Sequence, residues 1–110
     1  MSGLYILNGK EPVMVNDVIE WAKGFEINNR IVKQDYIGEI FVSTVFLGID
    51  HSYGDEPPLL FETMIFGGVP DQYQERYSTW DEAEEGHKRA IKFVNDGKEN
   101  QQGEHNQTSD

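Results

Sequence analysis

Two apolar, β-branched segments joined by a polar loop place the strongest constraint on the fold of this chain. The first segment, residues 40–49, is rich in isoleucine, valine, phenylalanine and threonine, and the second, residues 59–66, is apolar except for Glu62 and Thr63. Such compositions are typical of strands buried on both faces. The intervening segment, residues 50–58, contains Gly54, Pro57 and Pro58 and reads as a loop. The pattern predicts two central strands that pair antiparallel around this loop.

A β-hairpin is predicted at the start of the chain. Residues 4–7 are apolar, Asn8-Gly9 is a dipeptide typical of tight turns, and residues 12–15 supply a returning strand. Weaker strand patterns lie at residues 30–36 and at residues 73–77, the second of mixed polarity as expected of an edge strand.

Two helices are expected between and after these strands. In the first, Asn16 is the predicted N-cap, and an apolar face is formed by Val18, Trp21, Ala22 and Phe25. In the second, Thr79-Trp80-Asp81-Glu82 has the spacing of a capping box. Its apolar face contains Trp80, Ala83, His87, Ala90, Ile91 and Val94.

These elements predict an α+β fold, with a small antiparallel sheet and two helices packed on it. Residues 1–95 form a single domain, because chains of this size have one hydrophobic core. Residues 96–110 contain no aliphatic or aromatic side chain, so we expect this polar and acidic segment to be a disordered tail.

The charge of the chain restricts its partners. Twenty acidic and nine basic residues give a net charge of −11, which repels nucleic-acid phosphates and anionic lipids. We therefore expect no direct nucleic-acid binding and no membrane association, and a protein partner instead. There is no cysteine, no signal peptide is recognised and no cofactor is implied, which favours a cytoplasmic protein.

The loop after the first central strand gathers polar groups. Asp50, His51 and Tyr53 lie there with further carboxylates, and loops held by a rigid sheet often carry functional residues. One interpretation is a cation site or a general base at His51. The other is a polar hairpin loop in which Asp50 bonds to its own turn.

Glu62 and His87 interrupt apolar surfaces, Glu62 in a strand and His87 on the face of the last helix. A buried carboxylate is unfavourable unless it is paired, so Glu62 either faces solvent or meets a cation, a hydroxyl or a histidine. His87 is either satisfied by one hydrogen bond or approaches Glu62 or His51, and the three residues would make a zinc-type set. Gly86 is unusual within a helix and indicates a close approach between helix and sheet.

Other catalytic motifs are missing from the sequence. There is neither a Gly-x-Ser-x-Gly elbow nor a phosphate-binding loop. The aromatic residues are mainly packing residues, and exposed ones could anchor a partner; those singled out are Trp21, Phe25, Tyr53, Tyr73, Tyr77 and Trp80.

Three segments, residues 43–51, 57–68 and 76–87, carry a resemblance to known proteins. They resemble a group of small uncharacterised proteins encoded by bacteriophages and by bacteria carrying prophages. The resemblance implies no activity, and it implies the host cytoplasm as the location. Relatives have a glycine-rich stretch in place of Asp55-Glu56, which leaves Asp50, His51, Glu62 and His87 as the positions of interest.

Three functions stay open on the sequence. The first is a non-catalytic accessory protein that binds a host or defence protein, with binding residues Asp50, His51, Tyr53, Glu62, Tyr77 and His87. The alternative is a small metal-dependent enzyme or metal-stabilised domain that uses His51, Glu62 and His87. The third is a structural or morphogenetic phage component.

Overall fold

The computed structural model describes the backbone of residues 3–27, 30–68 and 73–109, and the side chains of residues 3–24, 30–68 and 73–97. The α+β prediction is confirmed. In chain order the described elements are β1 (Leu4–Asn8), β2 (Glu11–Val15), α1 (Val18–Ile27), β3 (Ile31–Ile37), β4 (Ile40–Phe46), β5 (Phe61–Phe66), β6 (Gln74–Tyr77) and α2 (Trp80–Ser109). A disordered tail was predicted for residues 96–110. The side chains of residues 98–110 lie outside the described part of the chain, so this remains a prediction. Neither helix has, within the described part, a stretch long and apolar enough to cross a membrane.

The strands form two antiparallel sheets where the sequence predicted one. The predicted hairpin is confirmed as β1–β2, and the second sheet has the strand order β3-β4-β5-β6. The two sheets are joined beyond the end of β4, where Leu4 forms a bridge with Ile49 and the backbone N–H of Tyr5 donates to the carbonyl of Gly48 at 2.8 Å.

The predicted antiparallel pairing of the two apolar segments is confirmed. Thr44 of β4 lies opposite Thr63 of β5, and Phe46 lies opposite Phe61. The strands are shorter than the apolar segments, however. Gly48 has a φ of 79°, which takes the chain out of the extended conformation before residue 49.

Helix α2 covers one face of the four-stranded sheet. Its capping box is confirmed, since Glu82 N donates to Thr79 Oγ1 at 3.1 Å and Thr79 N donates to Glu82 Oε1 at 3.1 Å. The predicted apolar face turns towards the sheet, with Ala83, Ala90 and Val94 fully buried. Two core clusters lie beneath the helix: one contains Leu7, Phe46, Leu60, Phe61, Tyr77 and Ala83, the other Val42, Ile65, Ala90 and Val94.

Helix α1 packs on the β1–β2 hairpin through only part of the predicted apolar face. Val18 is 64% exposed and Ala22 is exposed, so these two residues do not belong to the buried face. Trp21, also predicted on that face, is partly buried and donates its indole N–H to the carbonyl of Gly48 at 3.0 Å. Gly24 lies so close to Ile6 that a Cβ atom would meet that side chain at 2.6 Å. The N-cap is Asp17, not Asn16, because Asp17 Oδ1 accepts the N–H of Ile19 at 2.8 Å.

An irregularity in β3 shapes the outer edge of the four-stranded sheet. Ile31 pairs with Val45 and Lys33 with Thr44, so Val32 is an extra residue in β3, as in a β-bulge. The bulge places Val32 against the first core cluster.

Candidate functional site

The site with the most polar contacts is a buried chain of hydrogen bonds between α2 and the four-stranded sheet. His87, which is 3% exposed, projects from α2 onto the sheet. Its Nδ1 lies 2.7 Å from Thr44 Oγ1 on β4, and its Nε2 lies 2.8 Å from Asp35 Oδ2 on β3. One imidazole therefore joins the helix to two strands.

Two further hydroxyls extend the chain. Thr44 Oγ1 and Thr63 Oγ1 are hydrogen-bonded across the β4–β5 pair, and Tyr77 on β6 donates its hydroxyl to Thr63 Oγ1 at 3.1 Å. The chain thus reaches every strand of the sheet. We call these five residues the His87 network: Asp35, Thr44, Thr63, Tyr77 and His87.

A neutral imidazole with its proton on Nε2 satisfies the whole His87 network. In that tautomer Nε2–H donates to the Asp35 carboxylate and Nδ1 accepts from the Thr44 hydroxyl. Thr44 then accepts from Thr63, which accepts from Tyr77, so that every donor has one acceptor. We assign this tautomer because a hydroxyl buried without a partner would be unfavourable.

The network has the carboxylate–imidazole–hydroxyl order found in hydrolytic triads. Its position rules out that role in this conformation, because Thr44 and Thr63 have no exposed surface and His87 has almost none. A substrate carbonyl cannot approach Thr44 Oγ1 through the packed core. The network is therefore a structural link between helix and sheet.

Glu62 meets a cation, one of the four environments that the sequence left open. Adjacent residues of a strand point to opposite faces, so Glu62 lies on the face opposite to Thr63 and the His87 network. There Arg76 Nε donates to Glu62 Oε2 at 2.9 Å, and Gln74 Nε2 donates to the same oxygen. The 10% exposure of the Glu62 side chain makes this a largely buried pair.

Asp50 closes the loop between the central strands. Its Oδ1 accepts the N–H groups of Ser52 at 2.8 Å and Leu59 at 3.0 Å, and His51 N donates to the Leu59 carbonyl. Burial tends to raise the pKa of the Asp50 carboxyl, but the hydrogen bonds from Ser52 and Leu59 outweigh it and hold the pKa below its usual value. These contacts match the second interpretation of the loop, in which Asp50 forms hydrogen bonds within its own turn.

Of the predicted binding residues, His51 and Tyr53 are the two that the structure leaves exposed. Tyr53 is 82% exposed near the tip of the loop. Tyr77, by contrast, is buried against Gly86, where a Cβ atom would overlap the tyrosine ring. The predicted close approach at Gly86 is thereby confirmed. Burial raises the pKa of the Tyr77 hydroxyl, and the Glu75 carboxylate adds to the rise.

The structure does not assemble the predicted zinc-type set. His87 bonds to Asp35 and Thr44, Glu62 lies on the opposite face of the sheet, and His51 is in the loop. Within the described residues there is no group of three or more histidine, aspartate and glutamate side chains arranged to hold a metal ion.

Sequence reasoning missed Asp35 and the pairing of Thr44 with Thr63. Two threonines at the centres of apolar strands were a usable signal, since a buried hydroxyl needs a partner. No signal in the sequence linked Asp35 to His87, which is 52 positions away.

A second feature with functional potential lies where β2 leads into α1. Four apolar side chains are strongly exposed there: Val13 (40%), Met14 (57%), Val18 (64%) and Ile19 (65%). We call these four residues, which lie close together along the chain, the β2–α1 surface; as adjacent residues of a strand, Val13 and Met14 point to opposite faces of β2. Exposed carboxylates flank it along the chain, namely Glu11, Asp17 and Glu20.

Comparisons of this chain with family models, with curated proteins and with solved structures give no match.

Proposed function

We propose that this chain is a small, acidic, phage-type accessory protein that acts without catalysis, by binding a host or defence protein in the host cytoplasm. The β2–α1 surface is the observation that carries the proposal. Exposed apolar residues that are concentrated in one part of a small protein indicate an interaction site, whereas isolated exposed apolar residues are ordinary. In this chain, four exposed apolar residues lie within seven positions, and two of them are the first residues of helix α1.

The residues around this surface suggest the chemistry of the partner. Protein interfaces have an apolar centre and a polar rim, and here the flanking residues Glu11, Asp17 and Glu20 are all acidic. The net charge of −11 extends the same field over the chain. A partner with an apolar contact surrounded by lysine and arginine would be attracted at long range and held at short range.

The buried position of the His87 network supports a non-catalytic role. Its hydroxyls are enclosed by the core, and the Glu62 carboxylate is bound by Arg76 and Gln74. The exposed residues His51 and Tyr53 lie on the loop, where they would contact a partner that extends beyond the β2–α1 surface.

A capture experiment with matched variants tests the proposal. Immobilised protein is incubated with bacterial lysate at physiological salt, and bound proteins are identified for the wild type, for Val18→Gln/Ile19→Gln and for Phe93→Gln. Phe93 is a fair control because it is 51% exposed on the other helix. We expect a basic protein that the wild type and Phe93→Gln retain and the double variant loses. Failure to capture any reproducible partner, or equal capture by all three proteins, would refute the proposal.

A further inference from the structure

A cleft lies at the junction of the β1–β2 turn, the end of the polar loop and the start of α2. Its volume is about 440 Å³, within the range of small binding pockets. The apolar part of its lining includes Tyr5, Pro12 and Trp80, and the charged part consists of Lys10, Glu11 and Asp81.

A cation already sits at the aromatic wall of this cleft. Lys10 Nζ lies 5.7 Å from the centre of the Trp80 ring, within the range of a cation–π contact. The ring itself is held in place by an edge-on contact with Phe61, with ring centres 6.2 Å apart. Lys10 is exposed on a turn, so its side chain can leave the ring without disturbing the core.

The charges of the lining favour a further cation over an anion. Glu11 and Asp81 contribute two negative charges against the single positive charge of Lys10. Glu82, the neighbouring acid, is turned away to accept the N–H groups of Ser78 and Thr79. Asp81 is exposed, so its carboxylate remains accessible to a ligand.

We propose that this cleft binds an arginine side chain of a peptide segment, with the guanidinium stacked on Trp80 in place of Lys10 and paired with Glu11 and Asp81. A guanidinium is planar and more weakly hydrated than an ammonium group, so it stacks on an aromatic ring better than Lys10 does. It also presents several N–H donors in one plane, which suits carboxylates on two sides. The inference goes beyond the proposed function, because the lining of the cleft includes none of the four residues of the β2–α1 surface.

The two tryptophans allow a direct test in one spectrum. Trp80 lines the cleft and its indole N–H has no acceptor among the described residues, whereas the indole N–H of Trp21 is bonded to Gly48 on another part of the chain. The ¹⁵N-labelled full chain is titrated with an acetyl-Gly-Arg-Gly-amide peptide and, separately, with the same peptide containing neutral citrulline. We expect a saturable shift of the Trp80 indole resonance with the arginine peptide, and none of the Trp21 resonance.

Three variants test the proposal by the direction in which each changes the affinity for the arginine peptide. Lys10→Ala removes the competing cation and should tighten arginine binding about two- to fivefold, the worth of an exposed cation–π contact. Asp81→Asn should weaken binding by about two- to fivefold, as loss of an exposed ion pair does. Glu84→Gln, on the same helix but outside the cleft lining, should leave the affinity unchanged.

Weaker binding by Lys10→Ala would overturn the proposal, as would an equal Trp80 shift with the citrulline peptide or no shift at millimolar peptide. None of these measurements uses lysate or the residues of the β2–α1 surface, so their failure is distinguishable from failure of the proposed function.

Discussion

The ring of Tyr77 occupies the space into which a Cβ atom at position 86 would project, so Gly86 is the residue that lets α2 lie against β6. Glycine within a helix is normally unfavourable by about 1 kcal/mol relative to alanine. The contact reverses that preference here, because an alanine methyl group would have to displace a ring that is buried and hydrogen-bonded to Thr63.

We therefore expect Gly86→Ala to lower the free energy of unfolding by about 1–3 kcal/mol, the usual effect of overpacking a core. Gly97→Ala on the same helix is the matched control, since a Cβ atom there meets nothing within 4 Å. The control should leave the stability unchanged or raise it by up to about 1 kcal/mol. Urea denaturation of the three proteins measures both effects. If Gly86→Ala were as stable as wild type, the contact with Tyr77 would not constrain the helix.

The His87 network predicts that the stability effects of changes at Thr44 and His87 are coupled, although the two residues are 43 positions apart in the sequence. Thr44→Val removes the hydroxyl that donates to the imidazole and should lower the free energy of unfolding by about 1–3 kcal/mol, as when a buried polar group is left unsatisfied. His87→Leu should be destabilising for the same reason. The double variant should be more stable than the sum of the two losses implies, with a coupling of about 0.5–3 kcal/mol in a double-mutant cycle. Strictly additive losses would mean that the two side chains do not interact.

The Glu62–Arg76 pair should contribute more to stability than an exposed pair does. Arg76→Met leaves the carboxylate, 10% exposed, without its cation, and we expect a loss of about 1–3 kcal/mol in the free energy of unfolding. Lys88→Met is the control, because Lys88 and Glu85 form a pair at 3.3 Å with both side chains mostly in solvent. That change should cost less than about 0.5 kcal/mol. Thermal or urea unfolding of both variants makes the comparison, and equal losses would contradict it.

Asp50 should make the stability of the chain depend on acid pH. Its pKa is lower in the folded protein than in the unfolded chain, so the ionised carboxylate stabilises the fold at neutral pH. This contribution is lost as the pH falls below about 4 and through the folded pKa, because protonation is easier in the unfolded chain. Asp50→Asn keeps a hydrogen-bond acceptor without the charge. The Tm of the variant should be lower than that of the wild type at pH 7, and the difference should narrow by pH 3; a constant difference would assign the effect to packing.

The sequence was sufficient for features that depend on local pattern. The antiparallel pairing of β4 with β5 follows from two apolar segments around one loop, and the capping box of Thr79 and Glu82 is a four-residue signature. The unusual Gly86 indicated a close approach because glycine is otherwise disfavoured in a helix.

Features that depend on the relative placement of elements were beyond the sequence. The partner of His87 is Asp35, whose position is set by the register of β3 after a bulge that has no signal in the pattern. The exposed position of Val18 is another example, because periodicity shows that a helix has an apolar face but not whether the sheet has room to bury it.

The extra residue at Val32 has a consequence for self-association. An edge strand with regular, unpaired backbone groups is a template on which a strand of another molecule can add, and repeated addition leads to fibrils. The bulge breaks that template at the start of β3, and the charged side chains of Lys33 and Asp35 follow it. The bulge and these charged side chains therefore disfavour addition of a further strand at the β3 edge of the sheet.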